Sequence, residues 1–503
     1  MIARSVVSTL LLSTTLVPVS VAAATLTVTS FASGSGSTGD CTLTEAIFAA
    51  TSDTPQDACG TGAGADEVIL PAVGTYSIAN ALLVTGTQTL TVRGNRAAGT
   101  AGSFVVDLSF LDRFLTVQNG AQVTIENLTV RNGAPHFDFG GCVVSRQASL
   151  TLRDTIFFGC EAPRGGGVYW NGSGTDRLVV ERTTFQANTA RFLVGAGNQM
   201  IAGALAIEAN GNSSARLVDV EFLDNEVDCL GPDCASAFGG ALHVFQFDTS
   251  AVTLLRTTFI NNRLRFDAGE GGDGGAAMIQ GGVGPTVIED AFFSGNALEG
   301  TTFGGSALHV DTAGTSRFDR LRFIGNDLGV AARSQADIRA TFGGDVEVTN
   351  VLIAKGGSLG LNLDCQGTGS TLVAGNLTVT GHTARGIQAF QGPGTSVRLD
   401  NSIVWANGND AIETFGSPVT IDPSNFIGLD PHFVNPAVND FELAFTSPAR
   451  DNGNGALASV QRYDALHRLR IVGPAIDRGA LERNALFSDG FEIGDSGAWS
   501  QTV

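Results

Sequence analysis

Lysine is almost absent from this chain. Of 29 basic residues in 503, Lys355 is the only one that is not Arg. Acidic residues number 49, and the formal net charge is −20. Such a chain is a poor partner for nucleic acid or an anionic membrane. It also repels polyanionic substrates unless a basic cleft or a bridging metal intervenes. Proline is sparse at 14, and Met, Trp and Tyr occur three times each. Beyond the first two dozen residues no run of 18 uninterrupted apolar residues occurs, so no membrane span is expected in the mature chain.

What is abundant is glycine, 65 residues, and an apolar share of 43% that is ample for a core. The N-terminus reads as an export signal over 1–24. Arg4 supplies its charge, 6–21 its apolar stretch and Ala22, Ala23 and Ala24 its small-residue cleavage site. Export to an oxidising compartment makes disulfides the expected state of nearby cysteines. Cys41 with Cys59, and Cys229 with Cys234, are the expected bonds. Cys142 and Cys160 form a candidate pair, and Cys365 reads as a buried core thiol.

Internal repeats decide the architecture. "LTLRDTIFFGC" (150–160), "LVVERTTFQAN" (178–188), "ARLVDVEFLDN" (215–225), "VTLLRTTFINN" (252–262), "TVIEDAFFSGN" (286–296) and "SRFDRLRFIGN" (316–326) recur at uneven spacing. "VRLDNSIVWAN" (397–407) is a further copy, and "GGGVYW", "GGALHVF" and "GGSALHV" mark a second element between the copies. Each unit alternates apolar and polar residues, the pattern of a half-buried strand. No unit has helical periodicity, and the uneven lengths favour a parallel β-helix over propeller blades. A single right-handed parallel β-helix of roughly ten or more coils at about 4.8 Å per coil is expected. Phe157, Phe185, Phe222, Phe259, Phe293 and Phe323 form one column and read as core. Asn188, Asn225, Asn262, Asn296, Asn326 and Asn407 form another and read as an internal ladder, Asn being tolerant of left-handed backbone.

One segment breaks the β pattern. "DCTLTEAIFAA" (40–50) reads as an amphipathic helix with a Thr42–Glu45 capping box. An open solenoid end exposes core and strand edges, and this helix is expected to plug it. The chain divides into a cap and first coil (25–80), repeats (81–425), a closing module (426–484) and a tail (485–503).

These strings carry a resemblance. "CTLTEAIFAA…ACGTGAGADEVILPAVGTYSI" resembles the domain named for Cys-Ser-Leu-Arg-Glu-Ala, found at the head of secreted bacterial β-helix proteins, with Thr42 and Thr44 replacing its Ser and Arg. The repeats resemble right-handed β-helices of the pectate-lyase-like class. Residues 429–454 and 470–482 are similar to the choice-of-anchor Q domain, and 486–500 to a short tail of secreted proteobacterial proteins. The resemblance implies a secreted or cell-surface bacterial protein and says nothing specific of activity.

A polysaccharide lyase needs a base near a carboxylate-held calcium, and a glycoside hydrolase needs two carboxylates on one groove. The polygalacturonase-like strings Asn-Thr-Asp, Asp-Asp, Gly-His-Gly and Arg-Ile-Lys are all absent. His243 and His309 hold equivalent repeat positions and read as stacked structural residues; His136, His382, His432 and His467 show no partner. The acidic run Asp219, Glu221, Asp224, Glu226, Asp228 and Asp233 reads as a solvated face, with calcium binding as the alternative, and no cofactor is expected. Three long insertions, 189–202, 226–238 and 263–273, leave consecutive coils at one corner and read as loops forming a binding face. Arg191, Phe192, Arg265 and Phe266 are its candidate contacts, with Arg265 and Phe266 as the central pair. The expectation is a monomeric, non-catalytic protein that binds an extracellular glycan or surface protein, the alternative being a polysaccharide lyase or glycoside hydrolase.

Overall fold

A computed structural model describes residues 22–483, except 136–137, 192–198, 232–233, 267–270, 301–303, 328–333, 341–343 and 458. Three parallel sheets of 14, 13 and 12 strands, here sheets I, II and III, wind into a right-handed β-helix. One coil contributes Ser149–Arg153 to sheet I, Ile156–Phe158 to sheet II and Val168–Gly172 to sheet III, then re-enters sheet I at Arg177–Glu181. Alternation sends Leu150 and Leu152 inward over Leu178 and Val180 of the next coil, while Thr151 and Arg153 face out.

The two repeat columns are internal. Adjacent Phe rings from Phe157 to Phe323 stack nearly parallel at centroid distances of 4.6–5.2 Å. Asn188, Asn225, Asn262 and Asn296 each donate through Nδ2 to the Oδ1 of the next Asn at 2.9–3.0 Å. That Oδ1 also accepts the backbone N–H of the preceding Asn. All are buried, so each amide satisfies groups that would otherwise be costly to bury. The ladder continues differently than expected: Asn326 donates to Gln335, Gln335 meets His382 at 2.9 Å, and His382 meets Asn407 at 2.9 Å. His382 is thus a rung, and His467 pairs with Asp290 at 2.6 Å, correcting the reading of both as partnerless. Nor are the Asn rungs themselves left-handed. The residues preceding them are: Ala187, Asp224, Asn261, Gly295 and Gly325 have φ of 52–66°.

A second left-handed column turns sheet I into sheet II. Asp154, Arg182, Asp219, Arg256, Asp290 and Arg320 have φ between 46° and 60°. They pair bidentately coil to coil: Arg182 with Asp154, Arg256 with Asp219, Arg320 with Asp290.

The helix Leu43–Ser52 carries the full Thr42–Glu45 capping box and buries Leu43, Ala46, Ile47, Ala49 and Ala50 against the first coils. Thr25–Thr27 pairs with Ala65–Leu70, so sheet I starts one strand earlier than the expected first coil. Cys41 is bonded to Cys59, Cys142 to Cys160 and Cys229 to Cys234, and Cys365 is a buried thiol.

The long insertions are not loops throughout. They contain strands of a five-stranded sheet IV, which includes Thr189–Arg191, Glu226–Cys229 and Arg263–Phe266, and a three-stranded sheet V of Gln199–Ile201, Ser236–Phe238 and Gly271–Asp273. Their chains pair because consecutive coils bring them into parallel register. Beyond the last coil, the segment from about 429 to 483 flanks the late coils: Lys355 Nζ donates to Ala437 O, Asn376 Nδ2 to Ser459 O and Gly479 N to Asn401 O. No helix among the described residues is long and apolar enough to cross a membrane.

Candidate functional site

Sheet IV carries three of the expected contact residues, Arg191, Arg265 and Phe266, and period-2 alternation separates them. Arg191, Asp228, Arg265 and Glu299 share one outward column. Arg191 lies 3.5 Å from Glu161, and Arg265 lies 2.8 Å from Glu226 and 3.5 Å from Glu299. The hydrogen bond that Arg265 donates to Glu226 pushes the Arg265 pKa up. Phe266 points the opposite way. It is 4% exposed, in a small second core with Met200, Val227, Cys229, Cys234, Leu264 and Leu298. The expected Arg265–Phe266 surface pair is therefore not formed: neighbours on a strand face opposite sides. Phe192 lies outside the described residues.

The outer face of sheet III is chemically different. Its first outward column runs Val144, Tyr169, Ala206, His243, Met278, His309. Ile201 and Phe238 of sheet V cover part of it, packing with Val144, Tyr169 and Ala206. His243 is 3% exposed, and its Nε2 has no hydrogen-bond partner among the described residues. Burial, with a smaller contribution from Arg164, pushes its pKa down to about 3, so the ring is neutral. His243 and His309 do share a column, but Met278 separates them. Neither is placed as half of a catalytic pair.

The second outward column is half-exposed: Arg146, Asn171, Glu208, Phe245, Gln280, Asp311. Tyr169 and Asn171 sit two apart on Val168–Gly172, and Glu208 on the next coil faces Asn171 in register. The Tyr169 phenol and the Asn171 amide both donate to Glu208 Oε2 at 2.7 Å. Arg164 Nη1 lies 3.5 Å from Glu208 Oε1. Burial and then the Glu208 charge raise the Tyr169 pKa, holding the phenol protonated. Phe139 packs on Tyr169 at a centroid distance of 4.9 Å, and the Arg164 guanidinium sits 4.9 Å over the Phe139 ring. Asp138 holds Arg146 at 2.6 Å and Arg113 at 2.9 Å.

Glycine shapes the turn into this strand. The strand of Tyr169 follows Gly165–Gly167, where Gly165 has φ of 62° and a Cβ on it would lie 2.2 Å from Val168 O. The string "GGGVYW" was legible as a repeat, but the convergence of Tyr169 on Glu208 needs the register between coils. Among the described residues no group of three or more His, Cys, Asp or Glu side chains is placed to hold a metal.

No family model matches the chain, and no curated protein does. Solved structures do. A structure described as pectate lyase Pel9A is 16% identical, covering 83% of this chain and 88% of its own, at a TM-score of 0.40. A mannuronic acid specific polysaccharide family 6 lyase from human gut microbiota is 13% identical, covering 71% and 86%, at 0.31. The A-module of the Azotobacter vinelandii mannuronan C-5 epimerase AlgE4 is 13% identical, covering 79% and 98%, at 0.31.

Proposed function

We propose that this is an extracellular or surface-attached bacterial protein that binds carbohydrate on the outer face of sheet III and performs no chemistry there. The observation that carries the reading is the Tyr169–Asn171–Glu208–Arg164 cluster beside the Phe139 ring. Aromatic faces flanked by planar amide, carboxylate and guanidinium groups suit sugar rings and their hydroxyls. Three disulfides support an oxidising compartment. Residues 426–484 are read as the attachment module.

Binding is favoured over catalysis by how the cluster is spent. The Tyr169 phenol keeps its proton and gives its hydrogen bond to Glu208, so it is no base. Glu208 Oε2 already accepts two donors. A lyase or hydrolase reading would need a free base or an open carboxylate pair in the groove. A glycan screen run with reducing-sugar and unsaturated-product assays tests this. Binding without product, lost in Glu208→Gln, is expected. Product formation abolished by the same variant would establish the enzyme reading instead.

A further inference from the structure

We infer that the outer face of sheet III takes a linear neutral glycan along the solenoid axis and rejects uronate polymers. This rests on the carbohydrate reading above and adds the charge class of the ligand. Six successive coils place Arg146, Asn171, Glu208, Phe245, Gln280 and Asp311 in one half-exposed column. Coils repeat at about 4.8 Å, close to the length of one unit in an extended sugar chain, so successive rungs meet successive units. Phe245 and Phe247 hold their rings 4.3 Å apart, and Phe247 is 39% exposed where the chain leaves sheet III. That pair offers an aromatic face to the C–H face of a sugar.

The charge argument decides the class. The cations described in the cluster are already paired, three guanidiniums with three carboxylates: Arg113 with Asp112 and Asp138, Arg146 with Asp138, and Arg164 with Glu208. A ligand carboxylate would have to displace one of these partners. It would also approach Glu208 and Asp311 on a chain of net charge −20. A neutral sugar meets no such cost, and its hydroxyls donate to Glu208 and exchange hydrogen bonds with Gln280.

Calorimetric titration of the full chain with neutral gluco-, xylo- and manno-oligosaccharides, and with oligogalacturonate and oligomannuronate, tests this. Neutral ligands are expected to bind, with affinity rising from dimer to hexamer and little change with salt. Combining Phe245→Ala and Phe247→Ala should weaken binding about tenfold or more with an unchanged circular dichroism spectrum. Anionic oligomers binding more tightly than neutral ones, with affinity falling as salt rises, would overturn the charge class and leave the carbohydrate reading standing. Binding of neither class would overturn the carbohydrate reading itself.

Discussion

Sheets I and III are built on the same coils, with parallel pairing from coil to coil and apolar residues turned inward, yet their outer faces differ in chemistry. Sheet I and its corner carry Arg and carboxylate in alternation: Arg93 with Glu67, Arg153 with Glu126 and Glu181, Arg182 with Asp154, Arg256 with Asp219. Sheet III carries Tyr, His, Asn, Gln and Phe around a few held charges. Inward residues and turn residues therefore specify the solenoid, and outward residues are free to differ by face. A lattice of paired charges offers a ligand little that it does not already hold. The sheet III face still has aromatic and amide surface to offer.

The comparison is sharpened first by breaking what both faces share. Asn262→Ala removes a rung that serves Asn225, Asn296 and the Phe222 carbonyl. Leaving buried groups unpaired should cost roughly 3 kcal/mol or more, seen as a lower denaturant midpoint. Stability within about 1 kcal/mol of the parent would mean that the ladder is dispensable.

The next effects are pH dependences of opposite sign. His243 has a folded pKa near 3 against about 6.5 when unfolded. Its contribution is complete above about 6.5 and is lost progressively as pH falls toward 3. His243→Met, the residue the next coil carries in that column, should flatten the acid limb of a stability–pH profile. In the flanking segment, burial and then the Asp477 charge push the Glu482 pKa up to about 8. Its protonated form is favoured in the fold, so its contribution is present below the unfolded value near 4.5 and lost as pH rises through 8. Glu482→Gln should remove that alkaline loss, measured as thermal midpoint against pH; an unchanged slope would contradict the assignment.

The smallest expected effect is on sheet I's own corner. Arg256 is half-exposed, and Arg256→Ala should cost under about 1 kcal/mol with no change in glycan binding. Lost binding in this variant would erase the distinction between the faces.

The coils were legible because alternation, the Phe column and the Asn column are sequence-local. The plug was legible from its capping box. Sheets IV and V were not, because their strands are only two to four residues long and are defined by pairing across whole coils. Phe266 shows the error in detail: an aromatic beside Arg265 looked like a contact, yet alternation alone assigns the two to opposite faces. The Asp/Arg corner stood in the repeats themselves, at Asp154, Arg182, Asp219, Arg256, Asp290 and Arg320. It means little until left-handed backbone aligns these residues. The Tyr169–Glu208 convergence depends on register that no single repeat displays.

Hydroxyl-radical footprinting with and without a neutral oligosaccharide tests most directly the claim that the two faces differ in role. Protection is expected at Phe245 and Phe247 of the sheet III side, with Arg93, Arg153 and Arg256 of the sheet I side unchanged. Protection confined to the sheet I residues, with Phe245 and Phe247 as reactive as in the free protein, would contradict the account.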